Sequence, residues 1–214
     1  MIKRGKFITI EGTEGVGKST NIEFIKEYLV RQGIPLLLTR EPGGTPLAEE
    51  IREMLLKRRD EKMDESTELL LIFAARSQHL QQVILPALKG GRWVLSDRFT
   101  DATYAYQGGG RGLNISLITD LEERIQGELR PDLTLLLDID VKLGLERAGR
   151  RGELDRFENE QLPFFEKVRK AYLKRIQESP DRCMVIDASP SLRVVQESIK
   201  KVLEPKIEEF LAEN

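Results

Sequence analysis

The sequence predicts an α/β protein in which helices flank a doubly wound, mainly parallel sheet of five strands. Short apolar runs alternate with longer amphipathic helical patterns from one end of the chain to the other. The runs are apolar on both faces, which a parallel sheet covered by helices requires. The pattern Gly-x-x-x-x-Gly-Lys-Ser lies between the first strand and the first helix, which is the context of a phosphate-binding loop.

The strands are expected at the short apolar runs, which cover residues 7–11, 35–39, 92–97, 133–138 and 183–187. Helical patterns between the first four runs cover residues 18–33, 46–59, 64–91, about 100–107 and 114–127. Gly33 is a suitable end for the first helix, and Pro46 is a favoured first residue for the second. Pro86 predicts a bend in the long third segment.

Length and composition favour a single globular domain over residues 1–214, since neither a linker nor an internal repeat interrupts the chain. A formal net charge of -2 creates no overall field that would attract nucleic acid or a membrane. No run approaches the roughly 18 apolar residues of a membrane span, and no signal peptide is apparent. The single cysteine, Cys183, suits a reducing compartment, so we expect a cytoplasmic protein.

The phosphate loop is the strongest motif in the chain. Its backbone N–H groups and the start of the following helix would hold nucleotide phosphates. Lys18 would bridge the β- and γ-phosphates, and the Ser19 hydroxyl would bind a Mg²⁺ held mainly by the nucleotide. Glu14 stands where a dinucleotide-binding loop needs glycine, which excludes that class. The expected nucleotide-binding residues are Gly12, Thr13, Glu14, Gly15, Val16, Gly17, Lys18, Ser19 and Thr20.

A phosphate loop alone does not separate kinases from GTPase switches or motor ATPases. The guanine-reading sequence Asn-Lys-x-Asp is absent, and the chain is short for an oligomeric motor. A small-molecule kinase is therefore the leading class. A nucleotide-gated switch or binding module is its main rival.

Three arginines point to a second, phosphorylated substrate. Arg40 and Arg52 lie in "TREPGGTPLAEEIR" (39–52), and Arg98 directly follows the third strand. A lone arginine is more often a surface charge, but ligands bind at the carboxyl ends of strands in such sheets. Three arginines at this edge therefore indicate a phosphate site. Asp97, the last residue of the third strand, could hold metal-bound water.

A glycine- and arginine-rich segment, "AGRRGELDR" (148–156), interrupts a helical pattern. An ordinary turn between helices is one interpretation. A short mobile lid over the phosphates, at about 148–157, is the favoured one, because glycines allow hinging at 149 and 152. The arginines clustered there are Arg147, Arg150, Arg151 and Arg156.

Six stretches resemble bacterial thymidylate kinases: "FITIEGTEGVGKST", "LTREPGGTPLAEEIR", "AARSQHL", "SDRFTDATYAYQGGGRG", "RPDLTLLLDID" and "RRGELDRFE". They occur in order over residues 7–158, and "TREPGG" together with "DRF…AYQGGGRG" is specific within phosphate-loop kinases. The resemblance implies a P-loop NTPase fold that transfers the γ-phosphoryl group of ATP to dTMP with Mg²⁺. It also implies a homodimer formed through helices flanking the sheet.

The same resemblance implies which residues bind dTMP. Arg40, Arg52 and Arg98 would surround its phosphate, and Arg98 would also face the transferred group. The other implied substrate residues are Glu14, Glu41, Pro42, Phe73, Arg76, Thr103, Tyr106 and Gln107.

Five of these residues have individual implied roles. Arg76 would donate to a thymine carbonyl, and Gln107 would bond the pyrimidine edge. Thr103 would help to read the base, and Tyr106 would lie close to the sugar. Glu14 would accept a hydrogen bond from the 3′-hydroxyl of dTMP.

The chain departs from the family pattern beside the base. The family has a stacking phenylalanine four residues before Arg76, where this chain has Ile72, followed by Phe73. Residues three and four positions apart share a helix face, so Phe73 is the expected stacking residue. The alternative is that Phe73 belongs to the core.

His79 is the one histidine of the chain, and it is interpreted as a helix-surface or packing residue.

No general base is needed, because the acceptor phosphate oxygen is already a nucleophile. One branch of the family carries a basic residue where this chain has Gly15, so the resemblance implies the branch with a lid arginine. Arg151 matches best, and Arg147 and Arg150 come next. The expected catalytic residues are Lys18, Asp97, Arg98 and Arg151. Another nucleoside monophosphate kinase or a deoxynucleoside kinase remains the alternative enzyme.

Overall fold

The computed structural model describes residues 3–149, 156–157 and 160–212. Its strands are β1 (Phe7–Glu11), β2 (Leu36–Arg40), β3 (Trp93–Asp97), β4 (Leu133–Asp138) and β5 (Cys183–Asp187). They form one parallel sheet in the order β2-β3-β1-β4-β5. Each strand lies within one residue of its predicted position, and the predicted α/β fold class is confirmed.

Strand β1 lies in the middle of the sheet, with Ile10 opposite Asp97 of β3 and Leu135 of β4. The chain builds β2 and β3 on one side of β1 and then β4 and β5 on the other. Ligands of open α/β sheets bind at such a switch point, beyond the carboxyl ends of the strands. The loops after β1, β2 and β3 therefore meet where most of the predicted site residues lie.

The helices are α1 (Lys18–Arg31), α2 (Pro46–Leu56), α3 (Glu65–His79), α4 (Leu85–Lys89), α5 (Thr100–Thr103), α6 (Ile115–Gln126), α7 (Val141–Ala148), α8 (Leu162–Glu178) and α9 (Leu192–Ala212). Side-chain caps set some of their starts: the Asp64 carboxylate accepts from the N–H groups of Ser66 and Thr67 at the start of α3. No helix among the described residues has both the length and the apolar character needed to cross a membrane.

Alternate side chains of the strands supply a core on each face of the sheet. Ile8 and Ile10 pack in the cluster that contains the buried residues of α1 and α9. Phe7 points the other way and packs with Val94 and with Phe99, whose ring centre lies 4.9 Å from its own. This two-sided burial explains why the strands are apolar on both faces.

The predicted helix at 64–91 is divided by a π-helical segment, Leu80–Ile84, between α3 and α4. The irregular turn thus lies just before Pro86 rather than at it. Because Pro86 has no N–H and its ring crowds the preceding turn, regular α-helical bonding is displaced upstream.

A second π-helical segment, Tyr104–Gly110, follows α5 where the sequence predicts an ordinary helix. Its glycines allow close contact with α8, because a Cβ on Gly109 would lie 2.5 Å from the Cβ of Ala171. π-helical turns are frequent at functional sites. Here the segment carries two of the predicted site residues, Tyr106 and Gln107.

Glu11, the last residue of β1, has a fully buried carboxyl group beside the phosphate loop. Its Oε1 accepts from the backbone N–H of Phe99 at 2.7 Å, and its Oε2 accepts from the hydroxyl of Tyr172 at 2.9 Å. Glu11 therefore joins β1 to the turn after β3 and to α8. Burial, assisted by the negative charge of Asp101, raises the pKa of Glu11 from 4.5 to about 8.

This raised pKa predicts a pH-dependent effect of the substitution Glu11→Gln. Between pH 4.5 and about 8 the folded protein retains a proton on Glu11 that the unfolded chain has released. The contribution of Glu11 to the free energy of unfolding therefore falls as the pH rises from 4.5 to about 8. Above about pH 8 this contribution stays constant. Glutamine cannot titrate, yet its amide can still accept from Phe99 and donate to Tyr172.

We expect the free energy of unfolding of the Glu11→Gln variant, relative to the wild type, to increase from about pH 5 to about pH 8. Urea denaturation at several pH values measures it. The exposed Glu197, changed to Gln, serves as the matched control. Parallel stability curves for the Glu11→Gln variant and the wild type would contradict the expected trend.

Candidate active site

The loop between β1 and α1 has the backbone shape that its glycines allow. Gly12, Gly15 and Gly17 have φ values of 142°, 74° and 84°, which residues with a side chain rarely adopt. Nζ of Lys18 donates to the carbonyl oxygens of Gly12 and Thr13, at 3.1 Å each. The ammonium group and the start of α1 thus lie together, which is an arrangement suited to phosphate.

The backbones of the phosphate loop and α7 touch each other at two glycines. A Cβ on Gly15 would lie 1.8 Å from the carbonyl oxygen of Gly144, and a Cβ on Gly144 would lie 2.7 Å from that of Glu14. No side chain of any kind therefore fits at Gly15. This packing accounts for the missing basic residue in the loop and places α7, which leads to the predicted lid, directly against it.

Arg98 follows β3 in a left-handed conformation, with a φ of 66°. This conformation costs a residue with a side chain about 1–2 kcal/mol, so neighbouring groups must hold it. The N–H of Arg98 donates to the Ile10 carbonyl at 3.0 Å, and the Ser96 hydroxyl donates to the Arg98 carbonyl at 2.7 Å. The next N–H, that of Phe99, donates to Glu11.

The side chain of Arg98 turns back to the phosphate loop. Its Nη2 donates to Oε1 of Glu14 at 2.6 Å, and the Tyr106 hydroxyl donates to the same oxygen at 3.0 Å. Burial alone would raise the pKa of Glu14, but the charges of Arg98 and Lys18 outweigh it and hold the pKa at about 2. Glu14 is therefore an ionised acceptor, paired with the arginine that the sequence assigns to phosphate.

A cavity beside this pair, called the Arg76 cavity below, collects most of the predicted substrate residues: Glu14, Glu41, Pro42, Arg52, Arg76, Arg98, Thr103, Tyr106 and Gln107. The Glu41–Pro42 peptide bond beside it is cis. Ile72, which occupies the family's stacking position, also lines the cavity, as do residues that the sequence did not indicate: Leu55, Leu56, Phe99, Ala102 and Phe157. These residues are apolar, and an apolar residue on a helix or strand gives no sequence signal that separates cavity from core.

Arg76 is fully buried at this cavity. Its Nε donates to Oε2 of Glu41 at 2.7 Å, and its Nη2 donates to the hydroxyl of Thr103 at 2.9 Å. Its Nη1 is buried and has no hydrogen-bond partner within the described part of the chain. A buried donor without a partner is costly, so this nitrogen is suited to a ligand acceptor.

Phe73 does not line the Arg76 cavity, which contradicts its predicted stacking role. It packs with Leu69, Tyr104 and Ile118 in a separate buried cluster, and Ile72 lines the cavity instead. Successive residues of an α-helix point about 100° apart. The one-residue shift that the sequence shows therefore turns the aromatic ring into the core, where it lies 4.8 Å below the Arg76 guanidinium.

Arg40 also lies outside the Arg76 cavity. Its guanidinium binds the Glu49 carboxylate, with Nη2 to Oε2 at 2.8 Å, and its side chain is 54% exposed. Arg52 is nearer, and its Nη1 donates to the Pro42 carbonyl at 2.9 Å. Burial lowers the pKa of Arg52, and the charges of Arg40 and Arg98 lower it further. Arg40 and Arg98 therefore both repel Arg52, and an anion bound beside Arg52 would relieve that repulsion.

Gln107 is held by a buried carboxylate. Its Nε2 donates to Oε1 of Glu68 at 2.7 Å, and the other oxygen of Glu68 lies 2.7 Å from Nη2 of Arg156. Nε of Arg156 also donates to the Leu55 carbonyl at 2.7 Å. Arg156, which the sequence groups with the lid arginines, is thus attached to the wall of the Arg76 cavity.

The other lid arginines have different positions. Arg147 donates to the carbonyl oxygens of Ala188 and Ser189, each at 2.8 Å, so its guanidinium lies at the loop after β5. Arg150 and Arg151 lie outside the described residues. The lid itself and the role of Arg151 therefore stay predictions.

A second pocket, lined in part by residues of β2, contains the predicted metal ligands. Ser19 and Asp97 line it together with Arg40. Oδ1 of Asp97 is buried without a hydrogen-bond partner among the described residues. Hydroxyl and carboxylate oxygens are ligands that Mg²⁺ accepts, so these two residues fit such an ion. Thr20, also expected at the nucleotide, is exposed in the first turn of α1.

Comparisons with known proteins agree with this geometry. The thymidylate kinase family model matches residues 10–199. The thymidylate kinase of Ectopseudomonas mendocina is 61% identical over 204 residues, which cover 95% of this chain and 97% of that protein. That of Teredinibacter turnerae is 58% identical over 200 residues, which cover 94% of this chain and 98% of that one.

A solved structure agrees as well. The crystal structure of thymidylate kinase from Ehrlichia chaffeensis superposes with a TM-score of 0.78 at 33% identity, covering 94% of this chain and all of that one. The sequence matches extend over nearly the whole length of both partners. The chain therefore belongs to the thymidylate kinase family.

Proposed function

We propose that this enzyme, which phosphorylates dTMP in the synthesis of dTTP, binds dTMP in the Arg76 cavity and ATP on the phosphate loop. One observation carries this assignment of sites. Arg98 lines the Arg76 cavity and also pairs with Glu14 of the phosphate loop at 2.6 Å. A cation at this junction can neutralise the acceptor phosphate and the group that is transferred to it.

On the acceptor side, Arg52 and Arg98 bind the phosphate of dTMP, and Arg40 approaches it from the rim. Arg76 donates its unpaired Nη1 to a carbonyl of thymine. Gln107 uses its Nε2 to reach Glu68, which leaves its Oε1 to accept from the pyrimidine N–H. These two hydrogen bonds select the base, because a pyrimidine with different donors and acceptors at these positions cannot form them.

On the donor side, the N–H groups of the phosphate loop and the Lys18 ammonium hold the phosphates of ATP. The attacking atom is an oxygen of the dTMP phosphate, so the protein needs to position and neutralise rather than to remove a proton. Ser19 and Asp97 would hold Mg²⁺, which when bound neutralises charge on the β- and γ-phosphates. Arg98 stabilises the charge that develops on the transferred group.

The acceptor requirement tests this function. We expect ATP-dependent ADP release, in a coupled assay, with dTMP but not with thymidine, because an arginine cluster needs a phosphate to bind. dUMP, dCMP, AMP and GMP complete the set of acceptors. Turnover with thymidine but not with dTMP would contradict the proposal. ADP release that no acceptor stimulates would favour a nucleotide-gated switch.

The lid arginine gives a second test. We propose that Arg151 supplies the charge that the loop, with Gly15, cannot supply. Arg151→Ala should lower kcat by roughly 10²–10³-fold and leave the KM for dTMP nearly unchanged, as losses of transition-state donors do. The exposed Arg193, changed to Ala, is the matched control. A kcat for the Arg151→Ala variant within a factor of about two of the wild type would remove Arg151 from the mechanism.

We also propose that the enzyme is a cytoplasmic homodimer. Leu47 and Met54 of α2, Leu70 of α3 and Leu117 of α6 are large apolar side chains that are 40–58% exposed. These helices pack beside one another, so their outer faces offer an apolar area of the kind that subunit contacts cover.

Leu70→Glu should then shift the protein from dimer to monomer in light scattering after size exclusion. A charged residue buried between subunits is costly, whereas the same charge on a free surface is not. A wild type that elutes as a monomer at all concentrations would contradict the dimer.

A further inference from the structure

His79 is the one histidine of the chain, and its side chain is fully buried at the end of α3. It is neither a helix-surface residue nor simply a packing residue, because both ring nitrogens have polar partners. Nδ1 lies 3.0 Å from Oε1 of Glu41, and Nε2 lies 2.7 Å from the hydroxyl oxygen of Thr39. A carboxylate can only accept, so Nδ1 carries a proton and donates to Glu41.

Glu41 links His79 to Arg76. Its second oxygen, Oε2, accepts from Nε of Arg76 at 2.7 Å, and on the other side Nη2 of Arg76 donates to Thr103 at 2.9 Å. The guanidinium group is planar and rigid, so two fixed nitrogens also set the direction of the third. That third nitrogen is Nη1, the donor for which the described part of the chain offers no partner at the Arg76 cavity.

The His79 ring has no room to turn. A Cβ on Gly44 would lie 2.4 Å from Nε2 of His79 and 2.7 Å from the Thr39 hydroxyl oxygen. The loop after β2 therefore closes directly over the ring, and Gly44 is the residue type that permits it. His79 therefore offers Glu41, which is itself only 4% exposed, a donor in one fixed direction.

We propose that His79 is a positioning residue for recognition of the acceptor base. Through Glu41 it fixes the direction in which Arg76 presents Nη1, and it thereby favours a base with a carbonyl oxygen at that edge over a base with an amino group. The inference rests on the proposed function, because it assumes that the acceptor base binds in the Arg76 cavity.

The bases of dTMP and dCMP differ in whether they present a hydrogen-bond acceptor or a donor to Nη1 of Arg76. A carbonyl, as in dTMP, accepts from Nη1. The exocyclic amino group of dCMP is itself a donor, and it would leave both groups buried without partners. Sites built on buried donors reject such analogues strongly, provided that the donor cannot turn away. Without His79, the Glu41 carboxylate can rotate and Arg76 can follow it.

Two amide variants separate positioning from packing. In His79→Asn the side-chain nitrogen takes the place of Nδ1 and can still donate to Glu41. In His79→Gln the amide reaches toward Thr39, in the place of Nε2, and Glu41 loses its donor. Both variants remove the ring, so a role limited to packing would affect them alike.

Steady-state kinetics with dTMP and dCMP measure the effect. We expect His79→Gln to raise the KM for dTMP about tenfold or more and to lower the dTMP-to-dCMP ratio of kcat/KM by a similar factor, with the KM for ATP unchanged. His79→Asn should recover most of both values. In an Arg76→Ala background, His79→Gln should cause no further loss of selectivity, because the two residues act in series.

Equal values for the Asn and Gln variants, or a Gln variant with wild-type selectivity, would overturn the inference. If wild-type enzyme fails to turn over dTMP, the proposed function fails instead, so the two failures are distinguishable. Should the variants not fold, the wild type still provides a test, because ¹⁵N-labelled histidine gives signals from one ring only. Those signals should shift with dTMP but not with 2-deoxyribose 5-phosphate, and no shift with dTMP would also overturn the inference.

Discussion

Arg98, between β3 and α5, has a left-handed backbone conformation. Three backbone hydrogen bonds hold it there, made by the carbonyl and N–H groups of Arg98 and by the N–H group of Phe99. Two of these bonds end on Ile10 and Glu11, the last two residues of β1 before the phosphate loop. The loop and the arginine are therefore parts of one hydrogen-bonded unit. Donor and acceptor phosphates must meet within about 3–3.5 Å for transfer, and a shared unit fixes the geometry of both sides.

The sheet order explains why this unit can exist. Because β1 is the central strand, the loop that follows it lies beside the turn after β3 on one side and beside α7, after β4, on the other. Glu14 extends toward Arg98, whereas the backbone at Gly15 touches Gly144 of α7. A loop pressed against α7 has no space for its own arginine. This packing supports the proposal that the missing charge comes from the segment that follows α7.

Much of this arrangement could be predicted from the sequence, because it follows from local rules. The five strands and the phosphate loop depend on short patterns, and each strand was found within a residue of its predicted place. Of the three arginines that the same kind of pattern indicated, Arg52 and Arg98 line the Arg76 cavity and Arg40 does not. The role of Phe73 was predicted wrongly. It depends on whether Ile72 or Phe73 of α3 points into the cavity, and the sequence pattern does not decide between two adjacent residues. Glu11 and His79 were missed because a polar residue in an apolar segment shows its partners only after distant segments are packed together.

His79 acts on Arg76 in the same way as other groups in this site act on Arg98, which is through a carboxylate. Arg98 and Arg76 both line the Arg76 cavity, and both are held by carboxylates from neighbouring loops: Glu14 for Arg98 and Glu41 for Arg76. Each carboxylate also has a second donor. Tyr106 donates to the same oxygen of Glu14 as Arg98, whereas His79 donates to the oxygen of Glu41 that Arg76 does not use. If the cavity binds the acceptor base as we propose, its selectivity depends on residues that do not touch the ligand, because a buried donor discriminates well only when its own partners hold it in place.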